Sequence, residues 1–291
     1  MRLHLVDGTY ELYRAHFAPR PGHRDPSGRD VKATVGIVES MLALLHDAGE
    51  AVTHIAVVFD NPIRSFRNDL YMPYKSDEGV PPELRAQFDA AEDAIRAIGV
   101  TVWSMREYEA DDGLASGARR FRDEVEQVRI LSPDKDLGQC LIADKVVQVD
   151  RRQRKVTNES AFRAERGFGP ESMPDFLALT GDSADGFPGL PGFGKKSAAI
   201  LIGAYGHLEQ IPALAHNWDV APRGALQLAT TLAAHRDEAL LYRKLATLVD
   251  TVPLKDSLDD LKFRGVPRDR YERWCRELGA QRLLSTPRRW P

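Results

Sequence analysis

Leu3-His4-Leu5-Val6-Asp7-Gly8 is a short apolar run that stops on an acid and a glycine. The same punctuation recurs downstream. Ile55-Ala-Val-Val-Phe59 runs into Asp60, and Val128-Arg-Ile-Leu131 is followed by Asp134-Lys135-Asp136. Continuous apolar runs of this length, bounded by turn-forming residues, predict strands buried on both faces. Residues 101–103 and 146–149 predict two more. Between the first two runs, Val35, Val38, Leu42 and Leu45 recur at helical spacing, with Gly49 placed to end a helix over 31–47. Strand, helix, strand alternation predicts an α/β fold with a mostly parallel central sheet flanked by helices. Such sheets bind their ligands at the carboxyl ends of the strands. Acids placed directly behind successive strands therefore share one edge.

After about residue 150 the pattern changes. From 170 onward the apolar spacing is helical with Gly and Pro punctuation. We therefore expect an α/β unit at 1–169, a helical module at 170–260, and at 261–291 a C-terminal segment with one amphipathic helix over 269–284 and a basic tail, Arg288-Arg289-Trp290. Inside the first unit, residues 61–85 are neither clean strand nor clean helix, because prolines at 62, 73, 81 and 82 interrupt them. Arg64, Arg67, Lys75 and Arg85 alternate there with Phe66, Tyr71 and Tyr74. Cations among aromatics suit a single nucleic-acid strand, whose phosphates meet charge and whose bases stack on rings. The residues read equally well as a solvated connector with a few packed rings.

The acids form five motifs holding nine carboxylates: Asp7, Asp60, Glu109-Ala-Asp111-Asp112, Asp134-Lys-Asp136 and Asp182-Ser-Ala-Asp185. Any one of them reads as a turn former or helix cap. Their joint placement does not. So many anions in one pocket raise one another's pKa values until protons or hard cations neutralise them, and all-oxygen ligands favour Mg²⁺ or Mn²⁺ over zinc. Two-metal phosphoryl transfer needs such a set, with cations roughly 3.5–4 Å apart.

Composition is that of a soluble globular protein, 43% apolar over 291 residues. Forty Lys and Arg against 43 Asp and Glu give a net charge of −3, a balance that two bound divalent cations would turn to about +1. Cys140 and Cys275 match no metal spacing and read as free thiols in a reducing compartment. The histidines form no metal-binding pair, and no serine or cysteine triad is in view. No stretch reaches membrane-spanning length. A cytoplasmic protein is expected.

Gly189-Leu-Pro-Gly192-Phe-Gly194-Lys195-Lys196-Ser197 turns the chain into a helical pattern. Backbone N–H groups and a positive dipole end there suit a DNA phosphate, with Lys195 and Lys196 adding charge. Gly189-x-x-x-x-Gly194-Lys195 also approaches a nucleotide-binding P-loop. However, Lys196 stands where Ser or Thr is required, and the preceding segment is polar and broken by proline.

These motifs, in this order, resemble the 5'-nuclease family, which includes the 5'-to-3' exonuclease domain of bacterial DNA polymerase I, phage 5'-nucleases and flap endonucleases. Leu-Val-Asp7-Gly with Arg14 following, Val-Val-Phe-Asp60, Ser-Phe66-Arg67, Tyr71-x-x-Tyr74-Lys75, Tyr-Glu109-Ala-Asp111-Asp112, Asp134-Lys-Asp136-Leu, Gly-Asp182-Ser-Ala-Asp185 and Gly-Leu-Pro-Gly192-Phe-Gly194-Lys-Lys-Ser197-Ala carry the resemblance over roughly residues 2–255. It implies a PIN-like fold with a helical arch at about 61–85 and a C-terminal helix-three-turn-helix. It also implies two divalent cations, Mg²⁺ or Mn²⁺, with one group from Asp7, Asp60, Glu109, Asp111 and Asp112 and a second from Asp134, Asp136, Asp182 and Asp185. Lys75 and Arg14 would act on the scissile phosphate. Arg64, Phe66, Arg67 and Tyr74 in the arch, and Gly192, Gly194, Lys195, Lys196 and Ser197 in the helix-three-turn-helix, would bind DNA, the latter with a K⁺ ion. The implied substrate is DNA with 5' flaps, nicks or 5' ends, including RNA primers on DNA, acted on by a monomer during replication and repair. Two positions depart from the family pattern. Glu78 replaces an Arg three residues after Lys75, and Gly186 replaces the Asn after Asp185. A non-catalytic DNA-binding scaffold that kept the fold is the alternative reading.

Overall fold

The five expected strands form one sheet, with Arg2–Asp7 and His54–Asp60 in its interior the most deeply covered. The structure, a computed structural model, describes residues 1–291. Its strands are β1 (Arg2–Asp7), β2 (His54–Asp60), β3 (Thr101–Met105), β4 (Gln127–Leu131), β5 (Val146–Asp150) and β6 (Lys155–Thr157), in the order β3-β2-β1-β4-β5-β6. All neighbouring pairs are parallel except β5 and β6. The sequence reading missed β6, a three-residue edge strand with no apolar run of its own.

Helices fill both faces. These are α1 (Gly8–Phe17), α2 (Lys32–Leu45), α3 (Arg67–Leu70), α4 (Pro82–Arg85), α5 (Phe88–Ala97), α6 (Ala110–Phe121) and α7 (Glu159–Arg166). Along β1, Val6 packs into a core with α2 and α5, while Leu3 and Leu5 pack on the opposite face against Leu114 and Phe121 of α6. The chain builds β2 and β3 on one side of β1 and then returns to place β4 on the other. The switch point, and the crevice that such a reversal opens, thus lies between the carboxyl ends of β1 and β4.

The second half is helical: α8 (Met173–Thr180), α9 (Lys195–Tyr205), α10 (Ala225–Ala234) and α11 (Arg236–Ala246) surround their own core of Leu177, Leu201, Leu232 and Leu245. The expected C-terminal helix is shorter than its pattern. α12 (Arg268–Glu277) stops before Gly279, which sits at φ +64, and a single 3-10 turn follows at Gln281–Leu283. Residues 261–291 are not a separate unit in packing. Tyr271, Trp274, Cys275 and Leu278 of this stretch join the core of α2 and α5.

Residues 61–85 are helical only in the two single turns of α3 and α4, with Pro73, Gly79 and Pro81 between them. The segment folds down onto the sheet edge. Phe66 N–H donates to the Glu107 carbonyl at 2.9 Å, Lys75 N–H to the Asp185 carbonyl at 2.9 Å, and the Asn68 side-chain amide to the Lys75 carbonyl at 2.9 Å.

Candidate active site

At the switch point the strand ends, the N-terminus of α6 and the loop after α8 enclose a cleft of about 640 Å³. Asp7, Asp60, Asp111, Asp134 and Asp185 line it, together with Lys75, Lys135, Thr9, Tyr10, Tyr13 and Ser132. The five acids come from five separate stretches of sequence, which the fold brings to one place.

Each acid is held by local structure. Asp7 ends β1 and caps α1, accepting from Tyr10 N–H at 2.8 Å and from the Ser132 hydroxyl at 2.8 Å, a contact that spans the switch point. Asp60 ends β2 and accepts from Ala110 N–H at 2.8 Å. Glu109 caps α6 and receives the Ser65 hydroxyl at 2.6 Å and the Lys75 ammonium at 3.1 Å. Asp134 accepts from Asp136 N–H at 2.9 Å. Asp182 lies in a closed loop in which it and Phe187 exchange backbone bonds of 2.8 and 3.1 Å. That loop closes tightly: Gly189, at φ +69, leaves so little room that a Cβ there would lie 2.2 Å from Gly181 N.

Burial and mutual repulsion dominate the electrostatics of these acids. Burial pushes the Asp7 carboxyl up to about 7, with Asp60 and Asp134 adding to the rise and the bonds from Tyr10 and Ser132 opposing it. Burial likewise lifts Asp185 to about 6, despite Lys75. Asp111 and Asp136 rise well above the usual carboxylate range, through burial first and then through Asp134, and burial raises Asp60. Glu109 goes the other way. Burial is the largest single influence on it, but Lys75, Arg67 and the Ser65 hydroxyl oppose burial and the net effect holds it below its ordinary value.

A divalent cation fits these donors. The donor set is all carboxylate, and ligand oxygens of Asp136, Asp182 and Asp185 lie within 4.8 Å of one another. Asp136 Oδ1 is buried and makes no hydrogen bond, with only the Lys135 ammonium 3.3 Å away, and coordination would satisfy it. The Tyr74 hydroxyl joins the two acid groups, donating toward Glu109 at 3.3 Å and Asp185 at 3.1 Å.

Several expectations are corrected. Asp112 is withdrawn from the cleft. Fully buried, it accepts both guanidinium arms of Arg67 at 2.7 Å, Glu109 N–H at 3.0 Å and Val249 N–H at 2.8 Å, so no oxygen is left for an ion. Arg67, 1% exposed, cannot reach DNA for the same reason. Tyr74 is buried against the acids and offers no open ring face. Phe66 packs edge-on against Tyr108 with the Arg67 guanidinium over its ring. Of the arch residues expected on DNA only Arg64 is exposed, and it pairs with Asp69 at 2.8 Å. Arg14 does not line the acidic cleft. It pairs with Glu11 one turn back on α1 and turns toward α2, where it donates to the Ser40 hydroxyl at 2.7 Å. Lys75, in contrast, sits among the acids, 3.8 Å from Asp185. Lys195 and Lys196 are exposed at the first turn of α9, behind Gly192 at φ +83 and the N-cap Gly194, whose N–H donates to the Ser197 hydroxyl at 3.1 Å.

Both departures have a place in the structure. Glu78 is exposed, three residues beyond Lys75. Gly186, at φ +82, lies under the arch segment, and a Cβ there would be 2.6 Å from the Pro73 carbonyl oxygen. Reading the sequence missed Ser65, Ser132 and Lys135. Ser132 had a signal, its place one residue past β4 at the ligand-binding edge. Lys135 stood inside a motif already singled out. Ser65 had none, since only folding brings it to Glu109.

Sheet, switch-point cleft and helical module define a PIN-like α/β fold with a SAM-like C-terminal helical unit. Residues 2–167 match the family model described as 5'-3' exonuclease, N-terminal resolvase-like domain, and residues 168–269 match that of the 5'-3' exonuclease, C-terminal SAM fold. The chain belongs to the 5'-3' exonuclease family. It is 34% identical over 290 residues to DNA polymerase I of Bacillus caldotenax, covering 98% of this chain and 32% of that one. Similarity to DNA polymerase I of Rhizobium leguminosarum is 37% over 265 residues, 89% of this chain and 26% of that one. The chain thus spans about a third or less of these polymerases. A 5'-3' exonuclease of Aquifex aeolicus is 29% identical, covering 97% of this chain and 94% of its own. Among solved structures, phage T5 5'-exonuclease with bound zinc superposes with a TM-score of 0.66 at 17% identity, over 96% of this chain and 98% of that one. The catalytic core of Rad2 in complex with DNA superposes with 0.58 at 16%, over 95% and 88%. No helix is long and apolar enough to cross a membrane.

Proposed function

We propose that this chain is a structure-specific 5' nuclease that hydrolyses phosphodiesters of flapped, nicked or 5'-ended DNA, with two divalent cations, Mg²⁺ or Mn²⁺. The observation that carries this reading is the convergence of Asp7, Asp60, Asp111, Asp134 and Asp185 on one cleft beside the Asp136, Asp182 and Asp185 group. Asp7, Asp60, Glu109 and Asp111 would hold one ion, and Asp134, Asp136, Asp182 and Asp185 the other. Bound there, the ions supply a water nucleophile at neutral pH and stabilise the leaving oxygen.

The protein's own residues do the rest. Lys75, drawn into the cleft by Glu109, places an ammonium where negative charge grows on a phosphate. Its ammonium stays protonated, because Glu109, Asp60 and Asp185 outweigh burial and raise it well above its ordinary value. Tyr74 keeps the two acid groups in register. Lys195, Lys196 and the N-terminus of α9 take duplex phosphates, so that residues 170–260 grip DNA while 1–169 cleave it. Arg64 and the exposed side of 61–85 face the 5' strand. A K⁺ ion near Gly192 to Ser197, action on RNA primers, a part in replication and repair, and a monomeric state rest on the family resemblance.

The test is a 5'-labelled flap with Mg²⁺ or Mn²⁺. The intact chain should release short 5' products, while Asp134→Ala or Asp182→Ala should abolish release and keep DNA binding. Wild-type rates in metal-purified variants would refute the site.

A further inference from the structure

Lys135 lies between two of the acids, in the 3-10 turn Lys135–Cys140. Its ammonium contacts Asp182 Oδ2 and stands 3.3 Å from Asp136 Oδ1. These are two of the three carboxylates whose oxygens cluster within 4.8 Å. The lysine therefore occupies the ground that a second divalent ion would take. An ion coordinated at roughly 2.0–2.1 Å would repel an ammonium in direct contact with its ligands, so the two cations compete for those oxygens.

The ammonium also has somewhere to go. Lys135 lines both the acidic cleft and an adjoining groove of about 240 Å³ that includes Ser132, Gln148, Asp150, Glu165 and Arg166. Its side chain is 35% exposed, so release needs no unpacking of the core. On the cleft side it shares the lining with Asp134 and Asp185, beside which the nuclease reading of the cleft would place a phosphate.

We infer that Lys135 is a displaceable internal counter-ion of the second carboxylate group: it keeps Asp136 and Asp182 together without metal, weakens the second ion's binding by competition, and moves to a DNA phosphate when that ion enters. The inference rests on the metal-dependent reading of the same cleft and adds to it a residue that sets the order of ion occupancy.

The test is a Mn²⁺ titration of the full chain, without DNA, by calorimetry and by the loss of free-ion EPR signal. Wild type should show one tighter and one weaker ion. Lys135→Met should tighten the weaker one by on the order of tenfold, Lys135→Arg should leave it weak, and Lys244→Met, which removes an exposed lysine of α11, should change nothing. In EDTA, Lys135→Met should melt below wild type and recover with Mn²⁺. Should that variant not fold, Lys135→Gln keeps a polar head for Asp182 and serves in its place. An unchanged or weaker second ion in the neutral variants overturns the inference while leaving the nuclease reading intact. A wild-type chain that takes up no Mn²⁺ at all removes the reading beneath it as well.

Discussion

Arg67 and Asp112 are joined by two parallel bonds of 2.7 Å in the interior of the protein. Two further guanidinium N–H groups donate to the carbonyls of Leu245 and Thr247, at 2.8 and 2.9 Å, and Nη1 also stands 3.6 Å from Glu109 Oε1. One arginine thus ties the base of the 61–85 segment to α6 and to the end of α11. It fixes the N-terminus of α6, from which Glu109 and Asp111 project, against the helical module.

Removing either partner leaves a buried charge unpaired. Arg67→Met or Asp112→Asn should cost about 3–5 kcal/mol, read as a lower urea midpoint. The double variant should cost less than the sum of the two, because the partners are coupled. Additive losses would show that the pair is not a unit.

Metal affinity should fall with pH. Asp7 titrates near 7 and Asp185 near 6 in the metal-free protein, so protons compete with ions as pH drops through that range. Mn²⁺ affinity should weaken steadily between pH 7.5 and 5.5, with proton release on binding detectable by calorimetry in buffers of different ionisation heat. A flat profile would contradict the raised carboxyls.

The same shift makes a stability prediction with an unusual sign. A carboxyl whose folded-state pKa lies above its unfolded value holds a proton that the unfolded chain has released, so it costs the fold more as pH rises through the window from about 4 to 7. Buried histidines whose pKa values are lowered by burial, such as His4, act oppositely below about 6.5. Comparison with Asp7→Asn isolates the carboxyl, because Asn still caps α1. In EDTA at pH 8 the variant should be more stable than wild type by on the order of 2 kcal/mol, and the gain should shrink as pH falls toward 4. Mn²⁺ should reverse the order.

Gly189→Ala should damage the second acid group without touching an acid. Its Cβ would lie 2.2 Å from Gly181 N and 2.5 Å from Thr180 C, at a φ of +69 that alanine resists. The loop carrying Asp182 must open to admit it. A loss of roughly 2–3 kcal/mol and of the weaker Mn²⁺ ion should follow, measured by thermal melting and titration.

Lys195→Ala and Lys196→Ala should weaken DNA binding uniformly across sequences. Each should lower the slope of log affinity against log salt by about 1. The rate at saturating DNA should not change, since neither lysine lines the acidic cleft. An unaltered slope would mean that duplex DNA lies elsewhere.

Much of the sheet was legible in advance, because a strand buried on both faces must be largely apolar, as residues 3–6, 55–59 and 128–131 are apart from His4 and Arg129. β6 was not, because a three-residue edge strand has no such requirement. The site divided in the same way. Acids behind strands could be gathered at one edge by topology alone, and Asp7, Asp60 and Asp134 lie there. Asp112 could not be told from Asp111 by sequence. On a helix the two neighbours point about 100° apart, and one faces the cleft while the other meets Arg67.

The sequence by itself determined which residues could be strands, where acids would cluster and that a glycine-rich turn would open a basic helix. Those properties are local, set by backbone sterics, apolar runs and charge, and they survive without knowing any neighbour. Tertiary structure alone decided which charges remain available. It buried Arg67 against Asp112, brought Ser40 to Arg14, and drew Lys75 and Lys135 in among the acids. An ion pair between residues distant in sequence exists only once the fold has closed the space between them and removed the water that would otherwise have kept each charge free.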